Sequence, residues 1–126
     1  MSPARIIPLV LLSLILTAFG PVMNEVISAI RSGDAVRISK HLDEVVRITM
    51  EEKSNAYSRG QGEMILRNFF ADRGVRQFEI QQKGQAADVE YFVGELVLSD
   101  EKRYRMSVYM KDRSGRRYIQ EIRLEP

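Results

Sequence analysis

The sequence predicts an α+β domain in which N-terminal helices pack on a curved antiparallel sheet. Three observations predict it. Apolar residues recur at helical spacing through Val22, Val26, Ile27 and Ile30, and again through Ile65, Leu66, Phe69 and Phe70. From Val75 onward, alternating apolar and polar residues are broken by turn clusters at Gly84-Gln85-Ala86, Ser99-Asp100-Glu101 and Asp112-Arg113-Ser114-Gly115. Finally, 126 residues with 44% hydrophobic content suit one core rather than two.

Composition also narrows the function. The absence of cysteine excludes disulfides, thiolate metal sites, cysteine catalysis and a lipid-modified cysteine. A formal charge of +2, from 19 basic and 17 acidic side chains, is too near neutral to mark a nucleic-acid binder.

The first twenty residues read as a secretory leader. Arg5 precedes an almost purely apolar run from Ile6 to Ala18, and Ala18 and Gly20 supply small residues in an Ala-x-Gly arrangement. The run is short for a bilayer span, which needs about 20 residues. An uncleaved anchor and an ordinary buried helix are the rival readings, and Pro21 makes an unfavourable first mature residue. The expected organisation is a signal peptide over 1–20 and one domain over 21–126, exported to the periplasm or beyond and free of the membrane once the leader is removed.

Within the domain, Glu25 near the start and Arg31 at the end of the first helix each suit the helix dipole. Ser32-Gly33-Asp34 breaks it, and Asp34 can cap a short second helix with Val36, Ile38 and Leu42 as its apolar positions. Val45 to Met50 then alternates as a strand, with Lys53 to Tyr57 as its partner. Ser58 to Gln61 fits a capping box for a third helix from about Gln61 to Asp72, ended by Gly74. Four strands follow, at roughly 75–83, 87–98, 102–111 and 116–125, and their short connections imply an antiparallel meander.

Register follows from keeping one apolar face continuous, because a slip of one residue exchanges the faces. Even-numbered residues make that inner face: Phe78 and Ile80, Phe92, Leu96 and Leu98, then Tyr104, Met106, Val108 and Met110, and last Tyr118, Ile122 and Leu124. The outer face is mainly charged, yet this register lines up Tyr91, Tyr109 and Ile119 beside Val89 and Val93. A contiguous apolar row with two tyrosines predicts a contact surface, and a homodimer is the expected use. Partial cover by long arginine stems is the alternative.

With these elements in place, the chain resembles the nuclear transport factor 2-like fold, also called the cystatin-like cone, which includes ketosteroid isomerase and scytalone dehydratase. The residues carrying the likeness are the Ala29-Ile30-Arg31-Ser32-Gly33-Asp34-Ala35 break and Tyr57-Ser58-Arg59-Gly60-Gln61 leading to Asn68-Phe69-Phe70. Tyr104-Arg105-Met106 and Ile119-Gln120-Glu121-Ile122 add to it. More narrowly, these segments are similar to a family of exported bacterial domains of unknown function. The resemblance implies a cone with an apolar pocket between helices and sheet, often in a dimer. No residue matches the catalytic motif of ketosteroid isomerase.

The expected register puts Glu90 and Tyr118 on either side of Met110, with Gln120 in the next row. Together with Phe69 and Phe92, these residues are the candidate ligand-binding set. Burial would raise the Glu90 pKa, so Glu90 with Tyr118 could act in acid/base chemistry. Solvation near a strand end, or pairing with Lys83, is the plainer reading of Glu90. His41 is the only histidine, and Glu44 three positions on is too little for zinc. Glu51-Glu52 lacks a calcium loop, and Gly60-Gln61-Gly62 lacks the lysine and hydroxyl of a phosphate loop. No metal, cofactor or nucleic-acid partner is expected.

The function expected from the residues is a non-catalytic exported module that binds a small apolar ligand or a protein partner. The alternative is a pocket enzyme of isomerase or dehydratase type using Glu90 and Tyr118. Phe69, Phe70, Phe78, Phe92, Met106 and Met110 are large enough to fill the cone entirely.

Overall fold

A computed structural model describes residues 20–126. The expected leader, apart from Gly20, lies outside the described residues. Helix α1 (Pro21–Arg31) buries Met23, Val26, Ile27 and Ile30. It ends in two reversed hydrogen bonds, Asp34 N–H to Ala29 O and Gly33 N–H to Ile30 O. That pairing requires a left-handed residue, which Gly33 supplies with φ of 63°. Asp34 then caps α2 (Ala35–Ser39), its side chain accepting from the Arg37 N–H.

Helix α2 stops earlier than the sequence predicts. Leu42 opens strand β1 (Leu42–Met50) instead of extending the helix, though it is fully buried either way. The cause is tertiary: the Ile119 N–H donates to His41 O at 2.7 Å, drawing the chain alongside the last strand, where Leu42 faces Ile119 in a parallel pair. Strand β2 (Lys53–Ser58) returns antiparallel to β1. The predicted capping box forms at Ser58 and Gln61 and starts helix α3 (Arg59–Phe70), which buries Leu66, Phe69 and Phe70.

The meander comprises β3 (Val75–Ala86), β4 (Val89–Leu98), β5 (Arg103–Arg113) and β6 (Arg116–Glu125). With the first hairpin it makes a six-stranded sheet of order β2-β1-β6-β5-β4-β3. Strand β3 runs through the expected Gly84 turn. Gly84 pairs with Tyr91, and a Cβ there would lie 2.3 Å from Tyr91 Cζ, so the glycine admits a ring and makes no bend.

The inner face follows the predicted phase over most of the sheet. Phe78, Phe92, Leu96, Leu98, Met106, Val108, Met110, Ile122 and Leu124 are all buried beneath the helices. Register also shifts in β3, between Val75 and Gln77 and between Ile80 and Gln82, but the shift that displaces expected site residues is in β6. Tyr109 pairs with Glu121 but Met110 pairs with Ile119, so Gln120 is an extra residue in a β-bulge. Beyond it the faces exchange: Ile119 is fully buried in the core, and Tyr118 sits beside Lys111 of the outer face. The expected row of Tyr91, Tyr109 and Ile119 is therefore corrected to a pair of tyrosines, stacked with centroids 6.0 Å apart. Ile119 is drawn inward because burying its aliphatic side chain is more favourable than burying Tyr118 or Gln120, whose polar ends would need partners.

Candidate functional site

The bulge decides which side chains meet at the end of the sheet where β4 begins and β6 starts. Glu90 lies one residue into β4 and pairs with Met110, which pairs with Ile119. Two residues before Ile119, and so on the same face, stands Arg117. Its guanidinium takes Asp112 in a fork, Nε to Oδ1 at 2.9 Å and Nη2 to Oδ2 at 3.3 Å, and its Nη1 donates to Glu90 Oε2. Glu90 is 2% exposed, whereas the Arg117 side chain is 20% exposed.

This trio borders a pocket of about 360 Å³, whose other walls include Pro21, Val22, His41 and Tyr118, with Lys40 and Arg116 at the rim. The pocket opens at the mouth of the cone. Deeper along the axis, Phe92, Met106 and Met110 are fully buried and form part of the packed core.

Electrostatics here follow from burial. Desolvation holds the Glu90 carboxyl above the usual carboxylate range, with Arg117 pulling against the shift and Asp112 adding to it. His41 is held below its ordinary value, first by desolvation and then by Arg116, Lys40 and Arg37, while Glu25 opposes them. A neutral imidazole at neutral pH follows. Its predicted spacing to Glu44 has no helical meaning, because His41 precedes β1 and Glu44 lies within it.

The predicted ligand-binding residues divide. Glu90 and Tyr118 line the mouth pocket, but they do not face each other across Met110 as expected. The Tyr118 ring lies beneath Arg113 and Arg116, 5.4 and 5.9 Å from their guanidinium carbons. Gln120 departs from the inner face altogether: it is the bulge residue and donates to Asp43 Oδ2 at 3.3 Å. Phe92 and Met110 lie in the core below, and Phe69 borders a separate groove of about 320 Å³ with Met50, Arg73 and Tyr104. Lys83 is not the partner of Glu90; Arg117 is.

Arg117, Asp112, Lys40 and Arg116 escaped the sequence reading. One signal was available: Ile119 and Ile122 are three apart, a spacing that a regular strand cannot bury on one face without a bulge. Among the described residues, no group of three or more His, Asp or Glu side chains could hold a metal ion.

A comparison with known families matches residues 23–125 to the domain of unknown function DUF4783. The chain belongs to the DUF4783 family. Solved structures agree with the fold of this DUF4783 domain. A family member from Bacteroides uniformis has a TM-score of 0.76 at 20% identity, over 81% of this chain and 94% of that one. Another from Bacteroides fragilis has 0.75 at 22% identity, over 80% and 94%. An NTF-2 like protein of unknown function from Shewanella oneidensis has 0.62 at 10% identity, over 82% and 98%. A comparison with curated proteins found no match. The fold is thus the nuclear transport factor 2-like cone expected from the sequence, and at these identities the likeness concerns fold alone.

Proposed function

We propose that this DUF4783 domain is a non-catalytic binding module that takes a small ligand in the mouth pocket. The observation that carries the reading is the commitment of Glu90: nearly inaccessible and paired with Arg117, its carboxylate is a fixed polar floor. A general base needs a lone pair free to reach substrate. The isomerase or dehydratase alternative also needs Tyr118 to face Glu90 across Met110, yet Tyr118 pairs with Lys111 and its ring lies under two arginines. Pro21, Val22 and Tyr118 offer contact area for an apolar ligand body.

Native mass spectrometry of protein purified from an exporting host, without denaturation, tests this reading. A retained mass that is lost on denaturation, and reduced when Arg116 is replaced by alanine, supports it. Turnover of an added substrate that disappears in Glu90→Gln contradicts it.

Export is part of the proposal, supported by the Arg5, Ile6–Ala18 and Ala18-x-Gly20 order. N-terminal sequencing of the protein from the periplasm or medium checks it. A homodimer through the outer face is supported by the stacked Tyr91 and Tyr109 rings. Sedimentation equilibrium checks that contact: a dimer that dissociates in Tyr109→Lys supports it, and a monomer at every concentration removes it.

A further inference from the structure

We infer that the ligand of the mouth pocket is a small organic monocarboxylate, gripped by Lys40 and Arg116 with its apolar body against Pro21, Val22 and Tyr118. This rests on the binding-module reading above.

The charge distribution points to an anion. Arg117 is already satisfied by two carboxylates, Glu90 and Asp112. Lys40 and Arg116 stand over the same pocket and make no ion pair among the described residues. Lys40 closes the end of α2 and Arg116 opens β6 just after the Ser114-Gly115 turn, so two separate elements bring these cations to one rim. Their unspent charge attracts an anionic group, and their exposure makes the attraction sensitive to salt.

The floor limits that charge to one. Glu90 is buried in the floor and Asp112 stands beside it with its side chain 54% exposed, so a second negative charge on the ligand would be repelled by both. A phosphate dianion is disfavoured for this reason, and a carboxylate is not. The walls explain the remainder: Pro21, Val22 and the Tyr118 side give the ligand an apolar surface, while neutral His41 supplies a ring nitrogen for hydrogen bonding. At about 360 Å³ the pocket is near the lower end of the range for small-molecule sites, about 300–1,000 Å³, so the ligand is compact.

Three probes that share a phenyl ring and differ in charge test the inference: benzoate, benzyl alcohol and benzylamine, titrated into isotope-labelled protein from an exporting host and followed by two-dimensional amide NMR. Benzoate is expected to shift Val22, His41, Arg116 and Tyr118 saturably, binding about tenfold more tightly than benzyl alcohol. Added salt should erase most of that difference. The double variant Lys40→Ala/Arg116→Ala should lose the benzoate preference while its amide pattern outside the pocket is unchanged. Benzylamine binding as tightly as benzoate, or benzoate binding no better than the alcohol, overturns the carboxylate assignment and leaves the pocket reading intact. Absence of any pocket shift with all three probes also overturns it. Native mass spectrometry of the untreated protein then decides the pocket reading separately.

Discussion

Arg117 reaches across the width of β5 to bind Glu90, because the bulge at Gln120 turns Arg117 onto the inner face. Without that extra residue Arg117 would point outward with Lys111, and Glu90 would be a buried carboxylate with no cation. The same bulge seats Ile119 in the core and moves Tyr118 out of it. One irregularity in the backbone therefore sets the packing at this end of the sheet and the electrostatics of the pocket.

The first prediction concerns pH. Burial raises the folded-state pKa of Glu90 above its unfolded value of about 4.3, so the folded chain holds this proton more tightly. The stabilising contribution is fully present below the unfolded value and is lost as pH rises through the folded one. Asp100 has the opposite sign: the Lys102 backbone N–H, then Arg73, lower its pKa, so its contribution is lost as pH falls. Urea midpoints from about pH 4 to about pH 8 should show Glu90→Gln gaining on the parent as pH rises. Asp100→Asn should lose ground against the parent above acidic pH.

Ile119 offers a direct check of the bulge. As a fully buried residue it should cost about 2–5 kcal/mol when cut to alanine. On the outer face the same change would be worth less than about 0.5 kcal/mol. Chemical denaturation of Ile119→Ala separates the two.

Gly94 and Gly60 should respond in opposite directions. A Cβ on Gly94 would lie 2.6 Å from Phe78 Cε1 and 2.7 Å from Glu79 O, where the ring crosses the strand. Overpacking of this kind costs about 1–3 kcal/mol, so Gly94→Ala should lower the melting temperature. Gly60, within α3, has nothing within 4 Å, so Gly60→Ala should stabilise by about 0.5 kcal/mol through helix propensity.

The turn between β1 and β2 holds two non-glycine residues in the left-handed region, Glu51 with φ of 49° and Glu52 with φ of 70°. Tight hairpins of this type favour Asn-Gly. The double change Glu51→Asn/Glu52→Gly should therefore raise stability by about 1 kcal/mol, measured by thermal unfolding.

Much of this fold was legible because its local signals agree with its tertiary demands. Asp34, Ser58 and Gly33 cap or end helices where the sequence says they should, and Phe92, Leu96, Leu98, Met106, Val108 and Met110 of β4 and β5 bury as predicted, with Tyr104 half-buried at the edge of the core. The misreadings share one cause. Leu42 and Gly84 each carry a local signal that a distant partner overrides, Ile119 in one case and the Tyr91 ring in the other. The candidate site was half legible. Alternation alone places Glu90 on the inner face, but alternation cannot reveal an inserted residue, so nothing in the pattern points to Arg117 as its partner. On the outer face Glu95 stands opposite Arg105 in register, yet its salt bridge is to Arg103, because a long arginine side chain reaches a diagonal partner that register alone does not specify.

The most direct test of the account is a double-mutant cycle between Glu90→Gln and Arg117→Gln, read by urea unfolding at neutral pH. Arg117→Gln alone leaves a charged carboxylate buried and should be the more damaging single change, by about 3 kcal/mol. If Arg117 holds Glu90 as the floor of the pocket, the double variant should recover part of that loss, with a coupling of about 1–3 kcal/mol. Additive effects within about 0.5 kcal/mol would mean that the two side chains act independently, and the account of this pocket would be contradicted.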